Sequence, residues 1–343
     1  MRSFIHTPTI PRPRPAPRPS RRAPEPAPAL LARLEQLGKT LRPTPHVPLA
    51  LPGIHLFAKL EYANPVGSIK DRPAFWILKR AAERGEICDQ TTVIESSSGN
   101  FATALATFTR LVGLRFIPVI DPNISATYES FLRRICTTVL KVDTRDDTGG
   151  FLKTRLEMVR DLCTRTPYAF WTNQYGNPDA MEAHYELTAG EICAEFDALD
   201  YAFIGVSTGG TIAGVSRRLK ERYPNVKIIA VDTRGSVIFG DTPRKRHIPG
   251  VGSSIVPPLV SRAIIDDVVL IPERETVAAC RELLLTHGLF AGGSSGTAFA
   301  AVKRYASKLA GATVLFLCAD RGTPYLDTVF DPTWAARLDM ELV

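Results

Sequence analysis

The chain has 343 residues, 45% of them hydrophobic and 22% charged, the profile of an ordinary globular protein with a substantial core and room for two lobes. No apolar run approaches the roughly eighteen residues of a membrane-spanning helix. The formal net charge of +7 is concentrated in residues 1–28, where Arg2, Arg12, Arg14, Arg18, Arg21 and Arg22 face only Glu25, so the body gives no signal for nucleic-acid binding.

Residues 1–28 alternate proline with arginine, alanine and serine, as in Pro11-Arg12-Pro13-Arg14-Pro15. Such a stretch cannot build a packed core and is expected to be a disordered tail. It lacks the apolar stretch of a secretory signal, and its proline density forbids the amphipathic helix of a transit peptide. The folded body is expected over residues 29–343, opening with a helical leucine pattern at Leu30, Leu31, Leu34 and Leu37.

From there strand-like and helix-like runs alternate. A strand over 55–60 precedes a helix over 72–84. A strand over 92–95 precedes a helix from Asn100, and further strands are expected over 115–120, 138–142 and 168–171. The strand over 200–204 leads through a glycine turn into a helix from Thr211. Strands over 227–231, 268–271 and 313–317 follow, with a helix from Glu275. This alternation implies an α/β fold with mainly parallel sheets covered by helices on both faces, and the length suggests two lobes. The chain ends soon after the last strand, so no C-terminal regulatory domain is expected. Six cysteines (Cys88, Cys136, Cys163, Cys193, Cys280, Cys318) are scattered, with no CxxC and no cluster with histidine. They read as free thiols in a reducing, cytoplasmic setting, neither a disulfide framework nor a metal site.

Four loops carry candidate chemistry. In Asn64-Pro65-Val66-Gly67-Ser68-Ile69-Lys70-Asp71-Arg72, Gly67 permits a sharp turn and Ser68 is a good N-cap, which places Lys70 in the first turn of a helix. The helix dipole there favours a neutral amine, as Schiff-base chemistry requires. Taken alone, the run also reads as a solvated lysine at a helix start. Glu95-Ser96-Ser97-Ser98-Gly99-Asn100-Phe101 turns hydroxyls and amides toward a helix N-terminus, where a carboxylate or phosphate would bind, although a plain capped turn would look similar. Ser207-Thr208-Gly209-Gly210-Thr211 is neither a P-loop nor a GxGxxG turn. Its amides and hydroxyls suit a phosphate monoester. Gly292-Gly293-Ser294-Ser295-Gly296 can present a serine hydroxyl to a buried heteroatom.

Taken in order, these loops resemble the fold-type II pyridoxal phosphate enzymes, a tryptophan synthase β-like fold, and within them the cysteine synthase and cystathionine β-synthase group. The resemblance runs from about Leu30 to the C-terminus, with further matches at Asn173-Gln174-Tyr175-Gly176-Asn177-Pro178 and at His184 with Thr188. It implies pyridoxal 5′-phosphate as cofactor, a homodimer, and a smaller lobe over roughly 75–180. By the resemblance, Lys70 would form the internal aldimine and Asn100 would meet the cofactor's 3′-oxygen. Ser207, Thr208, Gly209, Gly210 and Thr211 would hold its phosphate, and Ser294 would meet the pyridine nitrogen. Ser97, Ser98, Gly99 and Gln174 would bind the substrate α-carboxylate.

Two stretches depart from an ordinary cysteine synthase. Phe101 stands where a hydroxyl would contact the carboxylate, so that part of the pocket must be rearranged. The run from Val231 through Arg234, Ser236 and Arg244-Lys245-Arg246 to Ser254 resembles a different branch. Its members make N-(2-amino-2-carboxyethyl)-L-glutamate from O-phospho-L-serine and L-glutamate through an aminoacrylate, supplying 2,3-diaminopropionate for siderophores. Arg234, Arg244, Lys245 and Arg246 could absorb the several negative charges of such substrates, or could simply form a solvated loop. Cysteine synthesis from O-acetylserine or O-phosphoserine remains the alternative.

Overall fold

The computed structural model describes residues 28–340, so residues 1–27 of the expected tail lie outside the described residues, and Pro28 already belongs to the first helix. That helix, α1 (Pro28–Gly38), buries Leu30, Leu34 and Leu37. The strand β1 (His46–Leu51) escapes the sequence pattern. It pairs antiparallel with β2 (Ile54–Leu60), and Pro48 is tolerated because β1 is a sheet edge.

After α2 (Asp71–Glu83) the chain builds a four-stranded parallel sheet. Its elements are β3 (Thr92–Ser96), α3 (Asn100–Leu111), β4 (Arg115–Ile120), α4 (Ala126–Ile135), β5 (Leu140–Lys141), α5 (Leu152–Arg165) and β6 (Ala169–Trp171). The strand order is β5-β4-β3-β6, and β5 is shorter than the expected 138–142 run. Successive side chains of a strand point to opposite faces. Val93, Phe116 and Ile120 accordingly join α1, α2 and α3 in one core, while Ile94 and Val119 pack with Val159 and Leu162 of α5.

The chain then runs through α6 (Pro178–Ala183), a π-helical turn His184–Thr188, and α7 (Ala189–Glu195). It returns to the first sheet as β7 (Tyr201–Gly205), α8 (Gly210–Arg222), β8 (Lys227–Thr233), β9 (Asp267–Ile271), α9 (Glu273–His287), α10 (Gly293–Tyr305) and β10 (Thr313–Cys318). A last helix, α11 (Pro332–Met340), packs on α9. The six strands lie in the order β1-β2-β10-β7-β8-β9, parallel except for β1 with β2. Phe203, Ile229, Val231, Val314 and Phe316 face α9 and α10; Ala202, Ile204, Ile228, Ala230 and Leu315 face α7 and α8. The carboxyl ends of β3, β7 and β10 open toward one cavity, as expected for ligand sites in parallel sheets. All six cysteines are free thiols.

Candidate active site

Lys70 occupies the N-cap position of α2 rather than its first turn, because the helix begins two residues later than a Ser68 cap implies. Ser68, expected as the cap, instead accepts the Lys70 amide N–H at 3.2 Å. The buried Asp71 carboxylate accepts the Val66 N–H at 2.6 Å and closes the turn that Gly67 opens at φ +109°. Ile69 N–H donates to the Ala319 carbonyl at 2.7 Å, which pins this loop to the end of β10. Lys70 Nζ thereby enters the cavity and donates to Thr208 Oγ1 at 3.4 Å. Burial pulls its amine down to about 8, with the Asp320 carboxylate opposing the shift. Desolvation, more than the helix dipole, is therefore what favours the neutral amine.

Opposite Lys70, the chain passes from β7 into α8 through a left-handed Gly209 at φ +87°. A β-carbon on Gly209 would stand 2.8 Å from the Val260 nitrogen, so only glycine fits this close approach. Ser207, Thr208, Gly209 and Thr211 line the cavity, and Gly210 opens the helix beside them. The N-terminal amides and three hydroxyls make an anion cradle. Ser207 donates to the Gly252 carbonyl at 3.2 Å, and Thr211 Oγ1 meets His184 Nε2 at 3.2 Å.

On the cavity's third side stands a residue the sequence reading missed. Asp320, buried just past β10, accepts from Asn100 Nδ2 at 2.8 Å, from Tyr325 at 2.7 Å and from Ser294 Oγ at 3.3 Å. Asn100 in turn accepts a hydrogen bond from the Tyr128 hydroxyl. Burial pushes the Asp320 carboxyl upward while its three donors and Lys70 pull it down, and the net direction is up. Asn100 and Ser294 are thus brought together by a carboxylate at the end of an otherwise apolar strand.

The loop after β3 lies beside this group. Ser97 Oγ accepts the Ala102 N–H at 3.2 Å, and Gly99 caps α3. The Gln174 side chain donates to the Ser96 carbonyl at 3.1 Å. Ser98 donates to Asp121 at 3.3 Å and accepts from Arg155 at 3.0 Å, while Arg155 Nε lies 3.1 Å from Asp121. Arg155, on α5, is a second residue missed at the sequence level. Phe101 does not reach the cavity: it is buried in the core with α2 and α3, which accounts for an aromatic ring in a polar loop.

The basic stretch divides. Arg234 is exposed and lies 3.8 Å from Asp241, away from the cavity, and Arg244 and Lys245 are also exposed. Ser236 is buried within its own loop, accepting from Ser253 N at 3.1 Å. Arg246 alone turns inward, donating to Ser254 at 3.0 Å, and burial pulls its guanidinium below the usual range. Its charge and that of Arg155 both pull the Tyr175 hydroxyl down against the burial that raises it. Among the described residues no group of histidine, cysteine and carboxylate side chains could hold a metal ion.

Residues 38–320 match the family model described as pyridoxal-phosphate dependent enzyme. The N-(2-amino-2-carboxyethyl)-L-glutamate synthase of Ralstonia nicotianae is 46% identical over 288 residues, covering 82% of this chain and 84% of that protein. The enzyme of the same name from Cupriavidus metallidurans is 44% identical over the same shares. Among solved structures, an O-acetylserine dependent cystathionine β-synthase from Helicobacter pylori superposes with a TM-score of 0.78 at 30% identity, over 84% of this chain and 96% of that one.

Proposed function

The chain belongs to the pyridoxal-phosphate dependent enzymes, and on that premise we propose that it joins O-phospho-L-serine to L-glutamate. The products are N-(2-amino-2-carboxyethyl)-L-glutamate and phosphate: the Cβ–O bond of phosphoserine breaks and a bond from Cβ to the glutamate nitrogen forms. The observation that carries this reading is the identity of 46% and 44% to two synthases of that name over 82% of the chain. The inward-turned Arg246 and the Arg155 beside Ser98 support it, because substrates with several anionic groups need such cations and hydrosulfide does not.

The cavity fits the family's cofactor. The Gly209 approach leaves no room for a side chain, the α8 terminus offers donors for a phosphate, and a lysine with a lowered pKa faces them. When bound, the cofactor supplies an electron sink for breaking bonds at the substrate Cα and Cβ. In this reading the Ser207–Thr211 loop holds the phosphate, Asn100 and Ser294 orient the ring, and Lys70 is the covalent anchor. As the amine that faces the cavity, Lys70 Nζ would take the proton from the substrate Cα and later return it. Ser97, Ser98, Gly99 and Gln174 hold the α-carboxylate through hydroxyls, amides and a carboxamide. Arg155 and Arg246 attract the remaining anionic groups. The proposed catalytic body spans residues 29–343, with a smaller lobe over roughly 75–180, and acts as a cytoplasmic homodimer. Among the described residues no helix is long and apolar enough to cross a membrane.

The likeness to the O-acetylserine dependent enzyme favours one competing reading, β-replacement by sulfur. The holoenzyme given O-phospho-L-serine with equal glutamate and sulfide decides between them. Mass identification of the glutamate adduct as the main product is expected; cysteine with no adduct would overturn the proposal.

A further inference from the structure

His184 is buried at 1% exposure on the π-helical turn that precedes α7. Its two ring nitrogens each meet a threonine hydroxyl: Nδ1 lies 2.9 Å from Thr188 Oγ1, and Nε2 lies 3.2 Å from Thr211 Oγ1. This closeness is built in by Gly214, three residues along α8 from Thr211. A β-carbon there would stand 2.2 Å from the Met181 carbonyl and 2.9 Å from His184 Cβ, so α8 packs directly on the π-helical turn.

The direction of the proton chain follows from the inventory of donors. Thr188 is fully buried, and its hydroxyl proton has the His184 Nδ1 lone pair in front of it. If Nδ1 carried the proton instead, the Thr188 hydroxyl would lose that acceptor inside the core. Nδ1 is therefore the acceptor, and a neutral imidazole then carries its proton on Nε2. That proton goes to Thr211 Oγ1, which leaves the Thr211 hydroxyl proton free to point into the cavity that Thr211 lines. Burial and the nearby charges of Lys70 and Arg72 hold the imidazole well below its usual range, which keeps it neutral.

We propose that His184 is a positioning residue for the phosphate end of the site, holding Thr211 so that its hydroxyl donates to the bound phosphate. This rests on the reading of the Ser207–Thr211 loop as the cofactor-phosphate cradle. The polarity runs one way, from Thr188 through His184 and Thr211 to the anion, and the ring never needs to change protonation.

Nitrogen-15 histidine NMR of the wild-type holoenzyme reads the tautomer directly. A protonated Nε2 with an accepting Nδ1 is expected; a protonated Nδ1, or an imidazolium, would overturn the proposal even if no variant could be made. Phosphorus-31 NMR of the bound cofactor then follows the phosphate. His184→Phe should move that resonance and weaken cofactor affinity about tenfold, as loss of a hydrogen bond to a charged partner would. His184→Gln, which can keep a donor toward Thr211, should restore both. In a Thr211→Val background His184→Phe should add little further loss, whereas fully additive losses would contradict the relay. A wild-type protein with no bound phosphorus resonance and no cofactor retained after borohydride would remove the cofactor reading itself. Normal loading with an unmoved resonance in His184→Phe would remove only the relay.

Discussion

At the scale of single residues, the site turns on how far burial lowers the amine of one lysine. With the amine lowered to about 8, roughly a tenth of it is unprotonated at pH 7, far more than for a solvated lysine near 10.4. The deprotonated fraction grows as pH rises, so capture of pyridoxal phosphate by the apoprotein should quicken about tenfold per pH unit below 8 and level off above it. Stopped-flow absorbance checks this; a rate still climbing steeply past pH 9 would mean an ordinary lysine. The Arg246→Gln variant should raise the KM for glutamate several-fold and leave the cofactor spectrum unchanged. A shifted spectrum with an unchanged KM would place Arg246 elsewhere. Lys70 was legible because a glycine, a serine and a helix start mark its loop. Asp320 and Arg155 were not, because a lone charged residue after a strand or within a helix carries no local pattern, and only the fold brings them to Asn100 and Ser98.

At the scale of elements, α2 is held at its first turn by a buried set of charges. Arg72 donates to both Glu61 oxygens, at 2.6 and 2.9 Å, and to both Glu191 oxygens, at 2.6 and 2.7 Å, while Lys59 donates to Glu191 at 2.7 Å. The set ties β2, α2 and α7 together two residues from Lys70. Burial alone would raise the Glu61 carboxyl, but Arg72 overrides it and holds the group below the usual range. Glu61 therefore contributes stability above the ordinary carboxylate pKa and loses it as pH falls through the lower folded value. Arg72→Met leaves Glu61 buried without its main partner and should cost about 3–5 kcal/mol in denaturant unfolding. A loss under about 1 kcal/mol would show that the charges are not coupled. Most strands and helices were readable from the alternation of apolar runs, since parallel strands buried on both faces are nearly continuous in apolar residues. The edge strand β1 was hidden by Pro48, and the π-helical turn, which packs closely on Gly214, is too short to leave a sequence period.

At the scale of the whole molecule, the cavity is assembled from both sheets: Asn100 follows a strand of the four-stranded sheet, while the Ser207–Thr211 loop and Asp320 follow strands of the six-stranded one. A ligand that binds only this assembled form stabilises it by mass action. Cofactor removal should therefore lower the unfolding midpoint by several degrees in calorimetry, and equal midpoints would mean that the cofactor does not bridge the two sheets. The two-sheet plan was legible from strand–helix alternation, and the resemblance brought the ends of β3 and β7 to one site; that the end of β10 joins them through Asp320 was not legible, since spatial strand order is not written in chain order. The most direct measurement is peptide mass mapping of the borohydride-reduced native protein. A pyridoxyl phosphate adduct on the peptide holding Lys70 is expected; an adduct on another lysine, or none after incubation with the cofactor, would overturn the assignment of Lys70.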